Sequence, residues 1–548
     1  MKKAIATAAL AFAALSTPAL AGIELEVLGS YETGIFDEGA AEIVAHEPGS
    51  QRLFVINADA ASVDVLDTSD PENLVKLFSI DATAFGGGAN SVAVRPAEPG
   101  RMALVAVAIE AEVAQDNGVI AFFNVDGDFL GTVEAGALPD MVTFTPDGDK
   151  ILVANEGEPD DDYVVDPVGS VSIIDIKHGV ADATVLTVGF EAYNDAVLDP
   201  SIRIFGPGAS VAQDLEPEYI VVSRNSKKAW VVCQENNAIG VIDVRFGIVT
   251  DLFGLGTKDH SLAGNALDAS NRDDAINIAN WPVKGFYQPD AIALYRYRGQ
   301  NYIVTANEGD ARDYDGFSEE ARIKDLVLDP MVFPDAAELQ EDENLGRLNS
   351  TTVNGDTDGD GYVEELFGYG ARSFSIFSAG GKLIYDSGDD FERITAERDP
   401  DNFNSNNDDN GSFDARSDDK GPEPEGVVVG KVRNRTYAFI GLERVGGIMV
   451  YDITNPFSPS FETYVQNRDF SADETSPDAG DLGPEGLAFI SAGDSPTGSP
   501  LLVVGNEVSG TTTVYGITVV GKGSRSARDE VSVDAPATGN GAKTFGLE

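Results

Sequence analysis

A single pattern recurs along this chain. An acidic residue opens an apolar strand, a turn follows, and a second apolar strand closes on an acid or an Asn-Glu pair. Its clearest copy, GPEPEGVVVGKVRNRTYAFIGLERVGGIMVYD, begins at Gly421. Glu42, Asp140, Glu218, Asp290, Glu425 and Glu485 open six copies, and another begins at Ser91. Glu110, Glu156, Glu235, Glu308, Glu443 and Glu507 close copies two to seven, and the first closes at Asn57. Most copies continue into a third strand, as in SVSIIDIKHG and IMVYDITNP, and many into a weaker fourth, as in NLVKLFSI. Short Val- and Ile-rich strands joined by Gly, Asp, Asn and Pro turns are β-meanders. A period of roughly 40 residues or more makes each copy a unit that must stack on its neighbours to bury its faces. The expected fold is therefore all-β, a seven-bladed β-propeller with four strands per blade. A sandwich array or two separate β domains is the alternative. Residues 23–32 (IELEVLGSYE) read as one more strand, expected to complete blade seven and close the ring.

The first residues combine Lys2 and Lys3, an apolar run and a small-residue site ending at Ala21. This is the grammar of a signal peptide over residues 1–21, cleaved after Ala21. A secreted or periplasmic protein is expected. No later apolar run is long enough to span a bilayer, so no membrane span is expected. The propeller is expected over 22–520, followed by a Gly-, Ser- and Ala-rich flexible tail over 521–548. The chain ends in TFGLE, without a sorting motif, so no surface anchor is expected.

With 92 acidic and 37 basic residues the formal charge is −55, which disfavours nucleic acid and anionic lipid and attracts divalent cations. Adaptation to a saline habitat gives the same balance. Cys233 stands alone, so no internal disulfide forms, and its apolar surroundings suit a core residue. His46, His178 and His260 are scattered, which gives no support to a zinc site or a His-based triad.

Three insertions interrupt the repeat, at about 257–283, 310–372 and 387–421, the longest in blade five and before blade six. Short helices are expected over 318–326 and 335–345. Long loops on a rigid scaffold usually carry function.

Antiparallel pairing puts the start of strand one and the end of strand two on the same face. The opening and closing acids are then expected to gather around one mouth of the central channel. Glu156, Asp290, Asn307, Glu308, Asp310, Glu425, Glu443, Glu485 and Glu507 are the candidate ligands there. Crowded carboxylates do not all ionise without cations. Oxygen-only ligands suit Ca²⁺, with Mg²⁺ or another divalent metal as alternatives. The competing reading is that these acids bind turn amides. A second site is local. Asp356, Asp358, Asp360 and Glu364 stand in DTDGDGYVEE at the first, third, fifth and ninth positions of an EF-hand-type loop. The twelfth position is Phe367 rather than Glu. Arg312, Arg372, Arg416, Lys420 and Arg444 lie among the acids, where cations could hold an anion such as phosphate. Ordinary ion pairing is the alternative.

The motifs ANEGDARDYD, DTDGDGYVEELFGYGARSFSI, RSDDKGPEPEGV and TYAFIGLERVGGIMVYDITNP resemble those of the choice-of-anchor I family. The resemblance covers nearly the whole chain after residue 21. It implies a secreted bacterial β-propeller, and some members are labelled alkaline-phosphatase-like. Two functions are expected from these readings. The first is a metal-dependent phosphoesterase acting on a phosphorylated small molecule. Metal-activated water would attack, Glu308 or Glu425 would act as base, and Arg312, Arg372, Arg416 or Arg444 would stabilise charge. The alternative is a non-catalytic extracellular binding or scaffold propeller with structural calcium.

Overall fold

The structure is a computed structural model and describes residues 22–521. The expected signal peptide over 1–21 and the tail from residue 522 lie outside the described residues.

Seven four-stranded antiparallel sheets form among the described residues. The first begins with Val44–Glu47, Arg52–Asn57, Ser62–Asp67 and Val75–Asp81. The sixth is Pro424–Val432, Arg435–Leu442, Ile448–Asp452 and Ser460–Val465. The first strands of successive sheets touch in a closed cycle, the seventh returning to the first. This is a β-propeller.

Two-residue periodicity explains why the second strands are apolar throughout. Successive side chains point to opposite faces, and both faces are covered by a neighbouring sheet. Phe54 and Ile56 pack against sheet two with Val107 and Ile109. Leu53 and Val55 point the other way, against Leu501 and Val503 of sheet seven. Fourth strands lie at the rim: most of Val75–Asp81 is exposed.

Sheet seven is completed by the amino-terminal strand. Gly22–Glu32 runs antiparallel to Thr511–Val520, with Ile23 opposite Val519 and Glu32 opposite Thr511. The start of the described chain thereby covers an edge that would otherwise be open.

The first two insertions share one satellite body. Thr257–Asp259 pairs with Lys284–Phe286, which pairs in parallel with Phe367–Gly368. Leu267, Val283, Ile323, Leu345, Leu348 and Leu366 give it an apolar core of its own. The helix expected over 318–326 is absent. Glu320–Arg322 instead forms a strand paired with Asn349–Thr351, followed by a single 3-10 turn at Ile323–Asp325. The helix expected over 335–345 is reduced to Ala336–Leu339. An unexpected helix, Asp390–Arg398, buries Phe391 and Ile394 against the core shared by sheets five and six. Among the described residues no helix is long and apolar enough to cross a membrane.

Candidate metal centre at the hub

The opening residues sit where the first strand of each sheet leaves regular pairing. Pairing shifts between Pro139 and Val142, between Pro424 and Val427, and between Pro484 and Leu487. A bulge re-aims a side chain, and in these sheets it carries Asp140, Glu425 and Glu485. Sheet two has the same irregularity between Ala89 and Ser91, with Asn90 at the acid's position. Asn90, Asp140, Asp290, Glu425 and Glu485 line one axial cavity of about 130 Å³, together with Tyr219. The strands approach closely here: a Cβ on Gly426 would lie 2.0 Å from the carbonyl oxygen of Glu485.

Burial first, and then neighbouring carboxylates, raise the carboxyl pKa values around this ring. Glu42 is pushed up to about 8 and Asp140 to about 7. Glu156, Glu218, Asp290, Glu425 and Glu485 are raised well above the usual range by the same causes. One oxygen on each of Glu425 and Glu485 is buried without a hydrogen-bond partner, while the carboxyls of Glu218 and Glu235 share a hydrogen bond.

Glu308 and Glu443 of the closing acids, with Glu423, form a second tier with different chemistry. Oxygens of Glu308, Glu423 and Glu443 come within 4.8 Å of one another. Protein cations already satisfy them. Lys420 Nζ lies 2.7 Å from Glu308 and 3.3 Å from Glu423. Arg416 reaches Glu423 at 2.7 Å. Arg444 reaches Glu423 at 3.1 Å and Glu443 at 3.0 Å. Burial opposes charge on Glu423, but these three cations hold its carboxyl down to about 2. Gln234 donates to the other Glu308 oxygen at 2.9 Å. Asn407 donates to Glu443 at 3.0 Å and Glu507 at 3.4 Å, and accepts from Arg444. Asp310 is half-exposed, 3.6 Å from Lys420.

Not every candidate faces the channel. Asn307 is buried within sheet five, donating to Ser373 and Ser375 and accepting from Thr305 at 2.6 Å. Its amide is committed to the sheet and is not a hub ligand. Arg312 is 1% exposed, with its donors on Asp214 at 2.5 Å and Glu216 at 2.7 Å. It is a buried cation already paired with two carboxylates rather than one open to a phosphate. Arg372 is likewise held by Glu392 at 2.5 Å and by the carbonyl oxygen of Asp268. Ordinary ion pairing also accounts for Arg416 and Arg444. Sequence reasoning missed Glu423, Asn90 and Asn407. The first was legible as the leading Glu of the Pro-Glu-Pro-Glu run, and Asn90 as the residue aligned with the opening acids. Nothing local marks Asn407.

The exposed loop of residues 356–364 gathers Asp356, Asp358, Asp360 and Glu364, with ligand oxygens all within 4.8 Å. Its own amides hold the curve. Gly359 and Gly361 donate to Asp356 at 2.7 and 2.9 Å, and Tyr362 donates to Asp360 at 2.9 Å. Gly361 has φ of 90°, the left-handed conformation that favours glycine. Four carboxylates at this spacing fit a calcium ion. Phe367 instead stacks on Phe286, with centroids 4.9 Å apart, so the twelfth position is engaged in a ring stack.

Fold and site together define a β-propeller with a carboxylate-lined hub. Residues 42–456 match the choice-of-anchor I domain, and the chain belongs to that family. Gigasin-3a of Magallana gigas is 31% identical over 188 residues, covering 32% of this chain and 66% of that protein. A mesenchyme-specific cell surface glycoprotein of Strongylocentrotus purpuratus is 27% identical over 303 residues, covering 48% of this chain and 37% of that protein. The chain thus spans less than two thirds of either relative. Among solved structures, hydrazine synthase of Kuenenia stuttgartiensis has a TM-score of 0.44 at 13% identity, covering 91% of this chain and all of the other. Streptogramin B lyase has a TM-score of 0.43 at 10% identity, covering 91% and 98%. Likeness this distant carries nothing about function.

Proposed function

We propose that this protein is a calcium-binding propeller of the cell exterior, seven-bladed, acting as a binding or scaffold module rather than as a hydrolase. The observation that carries this reading is the loop of Asp356, Asp358, Asp360 and Glu364, whose oxygens stand close enough to wrap one ion. Asp356, Asp358 and Asp360 would hold the ion directly, with Glu364 at the position that often acts through water. Val363 of the loop packs on the satellite core, so an ion there would stiffen that body. The name of the sea-urchin relative supports placement outside the cell. The leader-like sequence ending at Ala21 supports it too. An extracellular ligand or partner fits this placement.

The phosphoesterase alternative needs cations free to meet a phosphate. Arg312, Arg416 and Arg444 already hold carboxylates, which favours the scaffold. The test uses the chain from residue 22, stripped of metal. Added Ca²⁺ should raise the melting temperature, EGTA should reverse the rise, and Asp356→Asn with Asp358→Asn should reduce it. A phosphomonoester and a phosphodiester should not turn over in either state. Calcium-dependent turnover would overturn the scaffold reading, and the absence of any Ca²⁺ binding would overturn the calcium reading.

A further inference from the structure

We propose that the inner ring of the hub is a second metal site, distinct from the exposed loop, and that it takes one hard divalent cation, Ca²⁺, with part of its water shell retained. Each sheet brings an oxygen-bearing residue to the same position of its first strand. Asn90, Asp140, Asp290, Glu425 and Glu485 line the cavity, and Glu42 and Glu218 hold the same place in the repeat of sheets one and four. No nitrogen or sulfur ligand is among them, and oxygen-only sites select hard cations.

Acids alone would not make a site. The deciding observation is their lack of partners. Glu425 and Glu485 both line the cavity, whereas the Glu218 carboxyl pairs with that of Glu235. The Oε2 atoms of Glu425 and Glu485 are buried and have no hydrogen-bond donor. A buried carboxylate oxygen without a partner is costly. The cations of the mouth do not relieve it. Lys420, Arg416 and Arg444 are engaged one tier away, on Glu308, Glu423 and Glu443. The structure therefore separates a tier held by side-chain cations from a tier that only protons or a bound cation can neutralise.

The space fits. A cavity of about 130 Å³ holds several waters at roughly 30 Å³ each. Among the described residues, the carboxylates close enough to wrap a bare ion are those of the loop and of the mouth. The inner ring is wider, so an ion there keeps waters that bridge to some carboxylates. Ca²⁺, with its variable coordination number, accepts such a shell better than Mg²⁺ does. Tyr219 lines the same cavity and supplies a reporter.

The experiment starts from the metal-free protein with Asp356→Asn, Asp358→Asn and Asp360→Asn, which disables the loop. Bound Ca²⁺ is counted after equilibrium dialysis. This variant should still hold Ca²⁺, and adding Glu425→Gln with Glu485→Gln should remove it. Tb³⁺ excited through tyrosine should luminesce in the loop variant, and Tyr219→Phe should abolish most of that emission while Ca²⁺ binding persists. A wild type whose only ion disappears with the loop would overturn the hub site and leave the calcium reading of the loop intact. A wild type that binds no ion would overturn both. Tb³⁺ emission indifferent to Tyr219→Phe would place the remaining ion elsewhere and also overturn the proposal.

Discussion

At Glu423, burial and charge pull in opposite directions. The residue is fully buried, its backbone has φ of 49°, and three cations converge on its carboxylate. Removing that one negative charge leaves Lys420, Arg416 and Arg444 to repel one another. Breaking a buried ion pair by removing one partner typically costs about 3–5 kcal/mol. Glu423→Gln should therefore lower stability by about that amount, read as a shift in the denaturant midpoint with little change in its slope. The sign of the pH effect follows from the depressed carboxyl. The stability it contributes is present above the unfolded value near 4.5 and is lost as pH falls toward about 2. An unchanged midpoint would show that the cations are satisfied without it. The same residue shows what was legible. The repeat located Glu308 and Glu443, because closing acids recur at one place in the pattern. The partners of Arg312 were not legible. Asp214 and Glu216 lie 98 and 96 residues upstream, and only the folded ring brings them together.

At the scale of the element, the amino-terminal strand is the clearest case of local pattern agreeing with global need. Gly22–Glu32 alternates side chains and has a whole antiparallel partner in Thr511–Val520. Deleting residues 22–32 would expose the backbone of Thr511–Val520 as an open edge, a template for pairing with another copy. The expected outcome is a protein that aggregates on size-exclusion chromatography and melts at lower temperature. A monomeric, equally stable deletion would show that the edge is protected in another way. The strand Glu320–Arg322 shows where local reading failed. FSEEARIKDL carries good helix formers, yet its pairing with Asn349–Thr351 is a contact of distant residues that propensity does not contain. The helix near 335 spans only four residues, a length that recovers little of the cost of nucleation.

For the whole molecule, acidity gathers at the axis more than charge count requires. Opening carboxyls are raised there, Glu42 to about 8 and Asp140 to about 7. Burial also raises Asp268 to about 7 and Asp414 to about 8 near the insertions. A carboxyl raised by folding contributes stability that is complete below its unfolded value, near 4, and disappears as pH rises through its folded value. In EDTA, the melting temperature should therefore fall steadily from pH 5 to pH 8.5. The slope is about 1.4 kcal/mol per pH unit for each proton held by the folded state and not by the unfolded one. Saturating Ca²⁺ should flatten the part of this slope that belongs to the axis, since the ion replaces protons as the source of positive charge. It should leave the part due to Asp268 and Asp414, which lie away from the ring. Thermal melts at four pH values, with EDTA and with Ca²⁺, separate the two contributions. A melting temperature that rises with pH in EDTA would mean that the axial carboxylates are ionised and held by charges other than metal.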